Sequence, residues 1–82
     1  MSIFPGMTQA TADRTLTTVV NGESRALLPG STVGDLLRAL SLDPRMVVVE
    51  HNREILRDRA ALDRIPLTDG DRIEIVHFVG GG

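Results

Sequence analysis

From Leu16 onward the chain alternates between short apolar blocks and polar punctuation. Leu16-Thr17-Thr18-Val19-Val20 and Glu23-Ser24-Arg25-Ala26-Leu27-Leu28 are strand-like runs separated only by Asn21-Gly22. Asn-Gly between two such runs predicts a hairpin, because a type I′ turn needs φ > 0 at both central positions. Pro29-Gly30 ends the hairpin. Val33, Leu36, Leu37 and Leu40 then recur at i, i+3, i+4 and i+7, which is one apolar helical stripe and marks a core-facing helix. Thr32 and Asp35 have the spacing of a capping box at its start. The helix is predicted to stop near Ser41, since Pro44 disfavours helical backbone at Asp43.

The second half reads as strands. Met46 to Glu50 is a β-branched run suited to a buried strand, His51-Asn52-Arg53 is predicted as a turn, and Glu54-Ile55-Leu56 as a short strand. Arg57 to Leu62 has the composition of a single helical turn. Pro66 and the Asp69-Gly70-Asp71 turn lead into a last strand running from Arg72 to Val79. That strand has apolar residues on both faces, Ile73, Ile75 and Val79 with His77 on one, Val76 and Phe78 on the other. It is therefore predicted to run centrally. One face should meet the helix, and the face with Val76 and Phe78 should be an exposed apolar patch of the kind that marks partner surfaces. The order predicts an α+β fold, a mixed sheet with one main helix packed on one face. Residues 1–14 lack periodicity and are predicted to be a flexible extension, 15–79 the folded domain, and Gly80-Gly81-Gly82 a flexible tail.

Composition narrows the chemistry. Eighty-two residues make one small domain, which buries only about 60 % or slightly more of the surface its unfolded chain exposes, so a deep catalytic cleft is not expected. The only aromatics are Phe4 and Phe78, so the core must be aliphatic. No cysteine is present, which removes disulfides, thiolate metal sites and a cysteine nucleophile. All nine basic residues are arginines, so no side-chain amine can form an isopeptide bond with the tail. A net charge of -2 with scattered arginines gives no nucleic-acid footprint. No apolar run approaches the roughly 20 residues of a membrane-spanning helix, and the N-terminal residues lack a secretion pattern. A cytoplasmic protein is the expectation.

The C-terminal glycines are the candidate chemistry. Three glycines form a thin tether that reaches roughly 10 Å past a strand, enough to carry the Gly82 carboxylate into a narrow active site of another protein. His51 and His77 lie far apart without metal-ligand spacing, so no metal site is expected. His77 is expected to pack or hydrogen-bond at the strand end. Glu50 and Glu54 flank a turn as solvated charges.

Val20-Asn21-Gly22-Glu23, Thr32-Val33-Gly34-Asp35-Leu36-Leu37, Val47-Val48-Val49-Glu50 with Asn52 and Glu54-Ile55, and the ending from Leu67 through Asp69-Gly70-Asp71 to His77-Phe78-Val79-Gly80-Gly81-Gly82 form an ordered set. In this set the chain resembles the ThiS family, the sulfur carrier proteins of thiamine biosynthesis, over about Leu16 to Gly82. The resemblance implies a ubiquitin-like β-grasp fold and a carrier without intrinsic catalytic residues or a bound cofactor. It further implies that a ThiF-like, E1-like adenylyltransferase uses ATP and magnesium to adenylate the Gly82 carboxylate. Sulfur from a persulfide-bearing donor enzyme then gives a thiocarboxylate, and the thiazole synthase ThiG receives the sulfur. Gly80 and Gly81 would supply the slim approach, Val76 and Phe78 the docking face. Two other readings remain open, the small subunit of molybdopterin synthase and a non-catalytic β-grasp binding module.

Overall fold

A computed structural model describes residues 15–78. The extension expected at 1–14, the strand end at Val79 and the tail Gly80-Gly81-Gly82 lie outside the described residues.

Strands β1 (Leu16–Val20) and β2 (Glu23–Leu27) form the expected hairpin, and Asn21 and Gly22 take φ of 50° and 85° as a type I′ turn requires. Helix α1 (Val33–Ala39) follows. Its capping box is complete: the Asp35 backbone N–H donates to Thr32 Oγ1 at 3.1 Å, and the Thr32 backbone N–H donates to Asp35 Oδ2 at 2.9 Å. A 3-10 turn (Pro44–Met46), capped by Asp43, leads into β3 (Val47–His51). After β4 (Glu54–Leu56) a second 3-10 turn (Arg59–Arg64) precedes β5 (Arg72–His77).

Several boundaries differ from the sequence expectation, among them the last strand, which ends at His77 and leaves Phe78 just beyond it. Met46 ends a turn rather than starting β3, because its N–H bonds the Asp43 carbonyl. His51 belongs to β3, paired with Ile73 and Glu54, so the turn is Asn52-Arg53 alone. The single helical turn begins at Arg59 and is 3-10, because Asp58 turns its carboxylate back to accept from the Ala60 N–H and so sets the start.

The sheet order is β2-β1-β5-β3-β4, with β5 central as its two apolar faces require. β1 pairs with β5 in parallel and every other pairing is antiparallel, so the sheet is mixed. Val33, Leu36 and Leu37 of α1 join Val20, Val47, Val49, Leu62, Leu67 and Ile73 in one aliphatic core. Leu40 packs at its edge. Burying such side chains contributes about 1.5–3 kcal/mol each, and here they lie on one face of the sheet only.

Candidate functional site

Strand β5 carries the chain toward its C-terminal glycines, so the site is built around the end of that strand. β3 accompanies β5 along its whole length, from His51 opposite Ile73 to Val47 opposite His77, and the Phe78 N–H still donates to the Met46 carbonyl at 2.8 Å. On its other side β5 has backbone pairing with β1 only at Arg72 and Ile73. The Asn21 side chain extends that edge: its Oδ1 accepts from the Ile75 N–H at 2.7 Å, and its Nδ2 donates to the Ile75 carbonyl at 3.2 Å. The base of the tail is thereby held on a paired, central strand.

Burial along β5 falls toward this end. Ile73 is fully buried, Ile75 half-buried and His77 exposed. The expected packing or hydrogen bond of His77 is not found among the described residues, because the core thins before the strand ends. Among the described residues no helix covers the opposite face. Val76 and Phe78, 62 % and 41 % exposed, lie there as strand parity predicts, and Ile55 at 45 % shares that face. Val48, directly opposite Val76 on β3, completes an apolar strip at the tail end of the sheet.

The other end of β5 holds the main polar constellation. Asp71 is buried, and its Oδ2 accepts from His51 Nε2 and the Thr68 N–H, both at 2.8 Å, while its Oδ1 accepts from the Thr68 hydroxyl at 2.8 Å and Asn52 Nδ2 at 3.0 Å. An ionised carboxylate only accepts, so His51 Nε2 carries the hydrogen in this pair. Burial works against the Asp71 charge, yet the hydrogen bonds from His51, the Thr68 backbone, Asn52 and the Thr68 hydroxyl outweigh it and hold the carboxyl well below its usual range. Asn52 Oδ1 also accepts from the Arg72 N–H at 2.8 Å. This network ties the β3-β4 turn to the entry of β5, and every Asp71 oxygen is occupied by a donor within the fold. It acts as a clasp rather than as an acid or base awaiting a substrate. The sequence showed His51 and Asp71 only as isolated residues twenty apart, and the pairing of β3 with β5 brings them together.

Among the described residues no group of three or more His, Cys, Asp or Glu side chains is arranged to hold a metal. Of the expected site residues, Val76 and Phe78 are brought together on one exposed face. Gly80, Gly81 and Gly82 lie outside the described residues.

A family model for the ThiS family matches residues 18–82. The chain belongs to the ThiS family. A curated relative from Bacillus subtilis, the sulfur carrier protein ThiS, is 47 % identical over 51 residues, which cover 62 % of this chain and 76 % of that one. A crystal structure of the thiamine biosynthesis protein ThiS from Geobacter metallireducens matches with a TM-score of 0.69 and 36 % identity, covering 82 % of this chain and 100 % of that chain. The mixed five-stranded sheet with its one main helix is thus the β-grasp fold of the ThiS family. A thiazole synthase from Paramagnetospirillum magneticum is 44 % identical over 64 residues, 78 % of this chain. The match spans only 19 % of that enzyme's length. A ThiS-like segment is therefore part of the same polypeptide as that thiazole synthase. No helix among the described residues is long and apolar enough to cross a membrane.

Proposed function

We propose that the chain is a protein sulfur carrier for thiamine biosynthesis, acted on by other enzymes rather than catalysing a reaction itself. The observation that carries this reading is the ThiS family match, which runs through the glycine ending to Gly82. In this reading a Gly82 carboxylate oxygen attacks the α-phosphorus of ATP on a ThiF-like adenylyltransferase, with magnesium on the nucleotide, and pyrophosphate leaves. The terminal sulfur of a persulfide donor then attacks the acyl carbon and expels AMP. A thiol cleaves the resulting S–S bond, leaving the thiocarboxylate on Gly82 and a disulfide. The thiocarboxylate sulfur passes to a ThiG-type thiazole synthase. A carboxylate is a poor acyl donor, and adenylation supplies the leaving group it lacks. Gly80 and Gly81 give a segment slim enough to enter two different active sites.

The geometry supports this division of labour. The apolar strip with Val76 and Phe78 stands at the sheet end from which the chain continues to the glycines, where an enzyme receiving the tail must rest. The thiamine names of the matched relatives favour thiazole synthase over molybdopterin synthase as the acceptor.

The test is incubation with ATP, magnesium, a persulfide donor and the adenylyltransferase encoded in the same genome, followed by intact and tandem mass spectrometry. The expected gain corresponds to one oxygen replaced by sulfur, located on Gly82. Sulfur on any other residue, or no gain while the adenylyltransferase modifies its own authentic carrier, overturns the reading.

A further inference from the structure

The sheet opens where β4 leaves β3. Their pairing runs from His51 opposite Glu54 to Val49 opposite Leu56 and stops, while β5 continues to pair with Val48 and Val47. Past Leu56 the chain turns toward the 3-10 segment at Arg59, leaving a hollow of about 190 Å³ lined by Val47, Val48, Ile55, Leu56, Arg57 and Arg59. A cavity of about 150 Å³ holds a benzene-sized group, so this hollow accepts one aliphatic or small aromatic side chain.

Its rim is cationic. Arg57 is exposed and forms no ion pair among the described residues. Arg59 donates from Nε to the Pro44 carbonyl at 2.8 Å, which fixes its guanidinium beside the hollow and leaves its terminal nitrogens without a carboxylate among the described residues. Asp58, the acid between them, is engaged in capping the Ala60 N–H. Arg38 and Arg45, by contrast, are each held by an aspartate within 2.9 Å. Two guanidinium groups beside an apolar floor complement a carboxylate next to an apolar side chain, because the planar fork binds a carboxylate through paired hydrogen bonds.

The hollow also has a defined relation to the tail. Val47 lies opposite His77, and the Phe78 N–H bonds Met46, so the hollow is at the same sheet end as the exit toward the glycines. Strand spacing puts it about 10 Å from β5. That separation is within reach of a protein that receives the tail.

We propose that the hollow rimmed by Arg57 and Arg59 is a docking subsite for an acidic, apolar-anchored segment of thiazole synthase, with one apolar side chain in the hollow and a carboxylate on the arginines. This rests on the reading that thiazole synthase receives the tail. The synthase is the occupant because thiazole synthases carry a segment resembling this chain within their own polypeptide, which keeps that segment beside the synthase body. The subsite fixes the carrier's rotation about its tail, which the apolar strip alone leaves loosely specified, because oriented charge pairs set register more strongly than apolar contact does.

The test is calorimetric titration of the full chain into the thiazole synthase encoded in the same genome. Arg57→Glu combined with Arg59→Glu is expected to raise Kd at least about tenfold, a loss that grows weaker in high salt. Arg57→Lys with Arg59→Lys should recover only part of the affinity, because lysine restores the charge but not the paired hydrogen bonds of the guanidinium, and Arg25→Glu, exposed on the far edge strand, should leave Kd unchanged. Thermal melts should match the parent for Arg25→Glu and fall only slightly for the double variants, which lose the exposed Arg59–Pro44 hydrogen bond but no buried contact. Unchanged Kd for the double glutamate variant while the parent binds overturns the subsite and leaves the carrier reading standing. An equal loss with Arg25→Glu shows general charge attraction and also overturns it, as does a loss confined to adenylation with synthase binding intact. No binding by the parent chain overturns both the subsite and the assignment of thiazole synthase as acceptor.

Discussion

Asp71 accepts four hydrogen bonds from three residues, His51, Asn52 and Thr68, and so ties two separate loops to the entry of β5. Asp71→Asn replaces one acceptor oxygen by a donor that must face either His51 and the Thr68 N–H or Asn52 and the Thr68 hydroxyl. Leaving buried donors unmatched costs about 1–3 kcal/mol, and a urea melt at neutral pH should show that loss. The pH dependence has a defined sign. The folded-state pKa of Asp71 is depressed from 3.8, so between those values the unfolded chain binds more protons and stability rises with pH. The contribution is complete above 3.8 and fades as acid approaches the folded-state value, so the gap between parent and Asp71→Asn should shrink below about pH 4. A gap that stays constant down to the acid limit would assign the loss to packing instead of charge.

Two turns of the same geometry illustrate the scale of single elements. Asn21-Gly22 and Asn52-Arg53 both place two residues at positive φ, but Arg53 at φ 74° has a Cβ where glycine would have none. Left-handed backbone costs a non-glycine residue roughly 1–2 kcal/mol, partly offset by the backbone freedom glycine loses on folding, about 0.5–1 kcal/mol. Arg53→Gly should therefore stabilise the domain by about 0.5–1 kcal/mol in chemical denaturation. A loss would mean that the Arg53 side chain contributes contacts worth more than the strain. In both turns the asparagine also hydrogen-bonds β5, through Ile75 and Arg72. That second role explains why asparagine stands first in each turn.

For the whole molecule the decisive feature is asymmetry. α1 and the 3-10 turn Arg59–Arg64 help to cover one sheet face, while the other keeps Ile55 exposed together with Val76 and Phe78, the last two at the end leading to the tail. A truncated core aromatic costs about 3–5 kcal/mol. Phe78→Ala, at an exposed site, should cost less than about 1 kcal/mol in stability. It should nevertheless raise the Michaelis constant for the carrier in ATP–pyrophosphate exchange by the adenylyltransferase at least about tenfold, the effect of losing a docking anchor. A large drop in melting temperature with normal exchange would place Phe78 among the groups that hold the fold together.

Much of this architecture is legible in the sequence alone. The Asn21-Gly22 hairpin, the Thr32-Asp35 cap, the Val33, Leu36, Leu37 and Leu40 stripe and the split faces of the last strand all follow from hydrogen bonds or periodicities spanning a few residues. The ThiS resemblance likewise rested on residues in order along the chain. The Asp71 clasp and the hollow at Arg57 and Arg59 were not legible. Each depends on the register between strands far apart in sequence: His51 meets Asp71 because β3 and β5 pair antiparallel with His51 opposite Ile73, and the hollow exists because β4 stops pairing one residue short of Val48. Local pattern determines which segments become strands and which faces are apolar, since those preferences act within a few residues. Which side chains finally meet is decided by how the aliphatic core packs, because only that packing selects one register from the several that a short, β-branched strand would accept.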